Sequence, residues 1–172
     1  LPSDEILDRL PLSPSQEVAD IGCGPGYFTI PLAERVPGGT VYALDTEEAM
    51  LERCRERVEE AGLSNVEVVR STEDSLPLAP ASMDGMLLAF VLHEAAEDRA
   101  AFLELLARHT RPGGWLAIVE WRRVESPYGP PQEIRLEPDD VRALLSSTSW
   151  TPEGASEPIG EWFHFTLARR NP

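Results

Sequence analysis
The residue types able to do chemistry concentrate in one stretch, Asp20-Ile21-Gly22-Cys23-Gly24-Pro25-Gly26. Glycines there permit positive φ and let the backbone approach a ligand closely. An apolar run precedes the stretch and a helical pattern follows it. The turn therefore sits between a strand and a helix N-terminus, which is the layout of a nucleotide or cofactor cradle. In such cradles an acid that holds ribose hydroxyls is expected about 20 residues on, at the end of the second strand. Asp45 stands there, 23 residues after Gly22. Its residue type fits, because a carboxylate accepts both hydrogen bonds of a vicinal diol. A second candidate, His93, follows the fourth apolar run, at the carboxyl end of the expected sheet, where ligands bind in open α/β folds. Imidazole suits general-base work near neutral pH. Glu94 beside it has a similar claim, and Glu120 and Trp121 end the fifth run on the same edge.

The glycine spacing departs from the dinucleotide fingerprint. It reads G-x-G-x-G with Pro25 inside, and acidic Asp20 lies two residues before the first glycine. An acid beside the turn repels a pyrophosphate but suits a cation. S-adenosylmethionine carries an adenosine, a sulfonium and an ammonium, and no phosphate. The charge logic favours it over NAD.

These residues need elements to position them. Short apolar runs alternate with helical periodicity, which implies a parallel sheet with helices on both faces. Strands are expected at 17–21, 40–45, 66–70, 83–90 and 115–124, with two more at about 151–157 and 161–169. Helices are expected at 3–10, after the glycine turn, and at 47–61, 98–110 and 138–147. Leu51, Cys54, Val58 and Ala61 share one face of the second long helix. Phe102, Leu105, Leu106 and His109 are expected to be buried by the third, and Pro112-Gly113-Gly114 to turn the chain into the fifth strand.

Composition removes other chemistries. The chain has 172 residues, of which 15 are basic and 30 acidic, for a net charge of −15. All 15 basic residues are Arg. Without Lys there is no Schiff base, no pyridoxal-phosphate catalysis and no P-loop lysine. The charge argues against nucleic acid as a partner. Two cysteines, Cys23 and Cys54, make no disulfide framework and, lacking a His pattern, no metal site, which points to the cytoplasm. Met86–Leu92 is the longest apolar run, far below the roughly 20 residues of a membrane span, and no signal peptide is visible. A chain opening on Leu leads to the expectation that the native N-terminus lies upstream. A lid over the site would then come from that segment or from a second subunit of a homo-oligomer.

At this point the sequence resembles the class I S-adenosylmethionine-dependent methyltransferases, particularly small bacterial ones near the ubiquinone/menaquinone C-methyltransferase group. Four stretches carry the resemblance in order: Val18 to Thr29, Val41 to Leu51, Val69 to Leu92, and Arg111 to Glu120. It implies one methyltransferase domain over 1–172 with a Rossmann-like three-layer α/β sandwich. The seven-stranded sheet would run 3-2-1-4-5-7-6, strand seven antiparallel. It also implies roles. Asp20, Gly22, Cys23, Gly24 and Gly26 would line the methionine part of S-adenosylmethionine. Asp45 would bind the ribose, Thr46 would touch the adenine face, and Met50 would cover its edge. Ser71, Thr72 and Glu73 would meet the adenine nitrogens, although many relatives have Asp where Ser71 stands. Backbone groups at Ala89 and Phe90 would hold the cofactor's amino end. Methyl transfer from a sulfonium is an in-line displacement that orientation and water exclusion promote. His93 is then the candidate base or acceptor contact, and a small molecule the expected acceptor. The competing readings are a cofactor-binding module without catalysis and an NAD-linked oxidoreductase.

Overall fold
A computed structural model describes residues 1–95 and 97–172. Seven strands form one sheet in the order β3-β2-β1-β4-β5-β7-β6, as expected. They are β1 (Glu17–Ile21), β2 (Thr40–Asp45), β3 (Val66–Arg70), β4 (Met83–Ala89), β5 (Thr110–Trp121), β6 (Trp150–Ile159) and β7 (Phe163–Arg170). The first five are parallel, and β7 lies antiparallel between β5 and β6. The helices are α1 (Ser3–Leu7), α2 (Thr29–Arg35), α3 (Glu48–Glu60), α4 (Arg99–His109) and α5 (Pro138–Ser146).

Period-two alternation sorts the strand side chains between two layers. Val18, Val41, Leu87, Ala117 and Val119 pack under α1 and α2, while Ala43 meets Leu51, Cys54 and Val58 of α3. On the other face Leu44, Met86, Leu88, Leu116 and Ile118 pack under α4 and α5, against Leu103, Leu106, Val141 and Leu145. Burial on both faces explains why the central strands read as continuous apolar runs. It also sets tight local limits. Gly85 on β4 lies beside Trp115 on β5, and an added Cβ there would fall 1.9 Å from the indole ring. Gly85→Ala is therefore expected to cost about 3 kcal/mol of stability by overpacking, read from the midpoint of urea unfolding.

Several element ends differ from the sequence expectation. Helix α1 closes at Leu7, and residues up to Leu10 continue only as turns, with Arg9 N donating to Ile6 O and Leu10 N to Leu7 O. Strand β4 stops at Ala89 because Phe90 takes a left-handed backbone, φ 61°. Strand β5 begins at Thr110, with Pro112-Gly113-Gly114 inside it. The register jumps there from Met83↔Thr110 to Gly85↔Trp115, so those residues form a bulge rather than a turn. Strand β6 runs through Pro152 and Pro158 because it is the sheet's edge, where a missing N–H costs no ladder bond. His109 and Phe102 are only half-buried and Ala61 is exposed, while Leu103 is fully buried.

Candidate functional site
The glycine turn follows β1 at the carboxyl edge of the sheet. Each flanking residue is fixed by a neighbour far away in sequence. Gly22 has φ 68°, and an added Cβ would sit 2.5 Å from Val91 Cγ2, so only glycine lets the segment after β4 close over the turn. At Gly24, φ 54°, no atom of the described residues beyond its chain neighbours lies within 4 Å of an added Cβ. The turn is open at this point. Gly24 N donates to Asp45 Oδ2 at 2.9 Å, and Glu47 N donates to Asp45 Oδ1 at 3.0 Å. The carboxylate that ends β2 thus pins both the glycine turn and the start of α3. Each oxygen keeps a lone pair for a ligand. Ser71 N reaches back to Asp45 O at 3.0 Å, which brings the end of β3 to the same place.

Asp20 is 2 % exposed. Its Oδ2 accepts from the Thr29 hydroxyl at 2.7 Å. Burial pushes its carboxyl up to about 6; the Thr29 bond opposes the rise and the nearby Asp45 adds to it. Thr29 received no role from the sequence, since its pairing with Asp20 spans a turn. Cys23 and Cys54 are both free and buried. The hydrogen bond to Cys54, then burial, pushes the Cys23 thiol up, so it stays protonated and acts as packing. Thr46, Thr72 and Glu73 are exposed, Met50 is half-buried, and Ser71 is buried. All lie after β2 or β3 on the glycine turn's edge of the sheet.

The end of β4 carries the strain of this edge. Phe90 is a non-glycine residue in the left-handed region, a cost of about 1–2 kcal/mol. Packing holds it there. Its N–H donates to Val119 O at 2.8 Å, and its ring lies 5.8 Å from that of Trp121 and 5.1 Å from that of Phe163. Strained, over-determined residues of this kind cluster at functional sites. Beyond them a short 3-10 turn, Leu92–Glu94, carries His93. Arg99 fixes this turn by donating to the carbonyls of Leu92 and His93.

His93 is 5 % exposed and Glu120 fully buried. His93 Nδ1 lies 2.9 Å from Glu120 Oε2 and 3.2 Å from Oε1. Each Glu120 oxygen also accepts a backbone N–H, Oε1 from His93 at 3.0 Å and Oε2 from Trp121 at 3.2 Å. His93 Nε2 has no hydrogen-bond partner among the described residues, and the Glu94 carboxylate stands 3.9 Å from it. Among the described residues, the buried side-chain atom without a partner is His164 Nδ1. His164 is structural: its Nε2 lies 2.6 Å from Leu136 O, and burial lowers its pKa.

Arg135 was not legible as part of this edge. It is 4 % exposed, yet its guanidinium donates to the carbonyls of Arg122, Val124 and Pro130 and to the Ser126 hydroxyl. It lies 5.0 Å over the Trp121 ring. The segment after β5 is thereby tied down, with Tyr128 against Trp121 and Trp162. A cavity of about 560 Å³ opens beside it, lined by Glu125, Arg135, Glu161 and Trp162 among others.

Comparison with known proteins identifies relatives of the chain as a whole. Residues 18–114 match a family model described as a methyltransferase domain. A trans-aconitate 2-methyltransferase from Azoarcus sp. (strain BH72) is 36% identical over 95% of this chain and 60% of its own length. A demethylmenaquinone methyltransferase from Geobacillus stearothermophilus is 32% identical over 67% of this chain and 50% of its own. The chain thus spans only half to three fifths of these two relatives. The crystal structure of a SAM dependent methyltransferase from Aquifex aeolicus superposes with a TM-score of 0.92 at 31% identity, covering 98% of this chain and 89% of that one.

Proposed function
Because the chain belongs to the S-adenosylmethionine-dependent methyltransferase family, we propose that it transfers a methyl group to a small-molecule acceptor by in-line displacement. The observation that carries this reading is the acidic, open cradle: Gly24 leaves free space at a turn held by Asp45 and backed by buried Asp20. Two carboxylates at one turn fit a cationic, ribose-bearing cofactor and oppose a pyrophosphate. When bound, S-adenosylmethionine supplies a methyl group on a positively charged sulfur.

The chain's own residues bind, orient and exclude water. Asp20, Gly22, Cys23, Gly24 and Gly26 line the methionine part. Asp45 accepts from the ribose hydroxyls with its remaining lone pairs, and Thr46, Met50, Ser71, Thr72 and Glu73 border the adenine. Ala89 and Phe90 hold the amino end. Phe90 and Trp121 keep this edge apolar, which favours a reaction that disperses charge. His93 Nε2 takes the proton of an acceptor that needs deprotonation. The whole of 1–172 acts as one methyltransferase domain. A small acceptor is supported by the names of the two relatives and by the net charge of −15, and a cytoplasmic setting by the two free cysteines.

Titration calorimetry tests the cofactor half. S-adenosylmethionine and S-adenosylhomocysteine are expected to bind and NAD is not. A panel of polycarboxylic acids, quinols, amines and thiols, scored for S-adenosylhomocysteine release, tests the acceptor half. NAD binding in preference to the other two would overturn the reading.

A further inference from the structure
We infer that Glu120 is a positioning residue that fixes the ring tautomer of His93, leaving Nε2 as the acceptor that faces away from Glu120. The inference rests on the reading of His93 as the acceptor's base, and its spectroscopic test stands apart from that reading. Alternation along β5 sends Leu116, Ile118 and then Glu120 to the buried α4–α5 face. A carboxylate in that row needs a reason. Among the described residues the ring it meets is that of His93, Nδ1 at 2.9 Å from Oε2. Backbone N–H groups of His93 and Trp121 face its two oxygens, and as a carboxylate it accepts from the imidazole as well. The hydrogen shared with the imidazole therefore sits on Nδ1, and the lone pair on Nε2.

That tautomer makes His93 a base. The acceptor's X–H proton passes to Nε2, and the electron pair it leaves forms the bond to the methyl carbon. The pair of the broken methyl–sulfur bond stays on sulfur. The resulting imidazolium lies between Glu120 and Glu94, both acidic. Among the described residues, further charged or titratable groups near the pair include Arg99, which holds the His93 carbonyl from α4, and His164, opposite Glu120 on β7, with Arg122 and Glu137 beside His164. Holding an imidazole in one tautomer through a buried acid is a known way to prepare it for proton transfer.

Glu120→Gln exposes the arrangement. The amide cannot accept at both positions. Placed where Oε2 stands, it gives up the longer bond from Trp121 N and donates to Nδ1. Its oxygen then keeps the bond from His93 N. His93 must then carry its hydrogen on Nε2. In ¹⁵N-histidine NMR spectra the wild type is expected to show His93 as the Nδ1–H tautomer, and Glu120→Gln as Nε2–H. Turnover of an acceptor that the wild type deprotonates and methylates should fall about 10²–10⁴-fold, with S-adenosylmethionine affinity within twofold of wild type. His93→Ala in the Glu120→Gln background should cost little more. An Nε2–H tautomer in the wild type overturns the inference, whether or not the variant folds. So does a variant that keeps Nδ1–H. A tautomer that flips while turnover is unchanged supports the positioning role and removes His93 as the base.

Discussion
Asp45→Ala is expected to lower S-adenosylmethionine affinity about 100-fold or more. In the free protein this carboxylate already accepts from Gly24 N at 2.9 Å and Glu47 N at 3.0 Å. A bound ribose would add two further hydrogen bonds to the same oxygens. Charge-assisted bonds contribute about 1.5–3 kcal/mol each when well buried. Asp45 is half-buried, so the lower end applies, and two such bonds give about 3 kcal/mol, or a factor near 100. Loss of the side chain also frees the glycine turn, and ordering it on binding adds a further cost. Stability should suffer less, by about 1–2 kcal/mol, because the freed N–H groups lie at an open edge where water replaces the acceptor. Asp45→Asn retains one acceptor oxygen and should fall between the two. Calorimetric titration with S-adenosylmethionine reads the effect. An Asp45→Ala affinity within twofold of wild type would remove the ribose contact and, with it, the cradle as described.

Much of this site was legible because local rules govern it. The bounds of β1, β2 and β3 follow from apolar runs ended by turn residues, whereas α4 is one residue shorter at each end than the expected 98–110, since Asp98 caps it from outside through its bond from Ala101 N. The glycine turn and Asp45 announce themselves by residue type and interval. What the sequence hid are pairings between distant residues. Glu120 reads as one polar residue at a strand end, and only the register of β5 with the turn after β4 places it on His93, 27 residues away. Arg135 reads as one of many surface arginines, yet it is buried by carbonyls of a loop whose path no periodicity encodes. Phe90 continues an apolar run, so nothing local marks the left-handed turn that ends β4. The Pro-Gly-Gly stretch misled for a related reason. Its composition is that of a turn, and the neighbouring β4 absorbs it as a bulge. Thr29 is the intermediate case, since its position at the start of α2 is readable but its bond to Asp20 is not.

Asp20→Asn separates what this fold gives up in stability from what it gains in function. Asp20 is 2 % exposed, and Thr29 is the side chain that donates to it. Its carboxyl is held near 6, chiefly by burial, against an ordinary value of 3.8. The folded state therefore binds the proton more tightly than the unfolded chain does. Between about pH 4 and 6 unfolding releases a proton, and stability falls as pH rises through that window. At pH 7 the buried charge costs on the order of 2–3 kcal/mol. The amide removes that cost and keeps an oxygen for the Thr29 hydroxyl, while its NH₂ group must find an acceptor of its own. Asp20→Asn should accordingly be more stable than wild type at pH 7 by about 1–2 kcal/mol, a rise in Tm of about 3–6 °C for a chain of this size. The difference should vanish at pH 4. A buried carboxylate beside an open turn, with no cationic partner among the described residues, makes sense if a cation arrives to meet it, as active sites often hold charge at the expense of stability. S-adenosylmethionine affinity should then fall tenfold or more in the variant. In the wild type, affinity should weaken by up to tenfold per pH unit below about 6, because the cation displaces the proton from Asp20, and this pH dependence should be absent in Asp20→Asn. Thermal unfolding at pH 4 and pH 7 and calorimetry from pH 5 to 8 check both arms. A variant that binds as tightly as wild type across that range would show that Asp20 serves the fold alone.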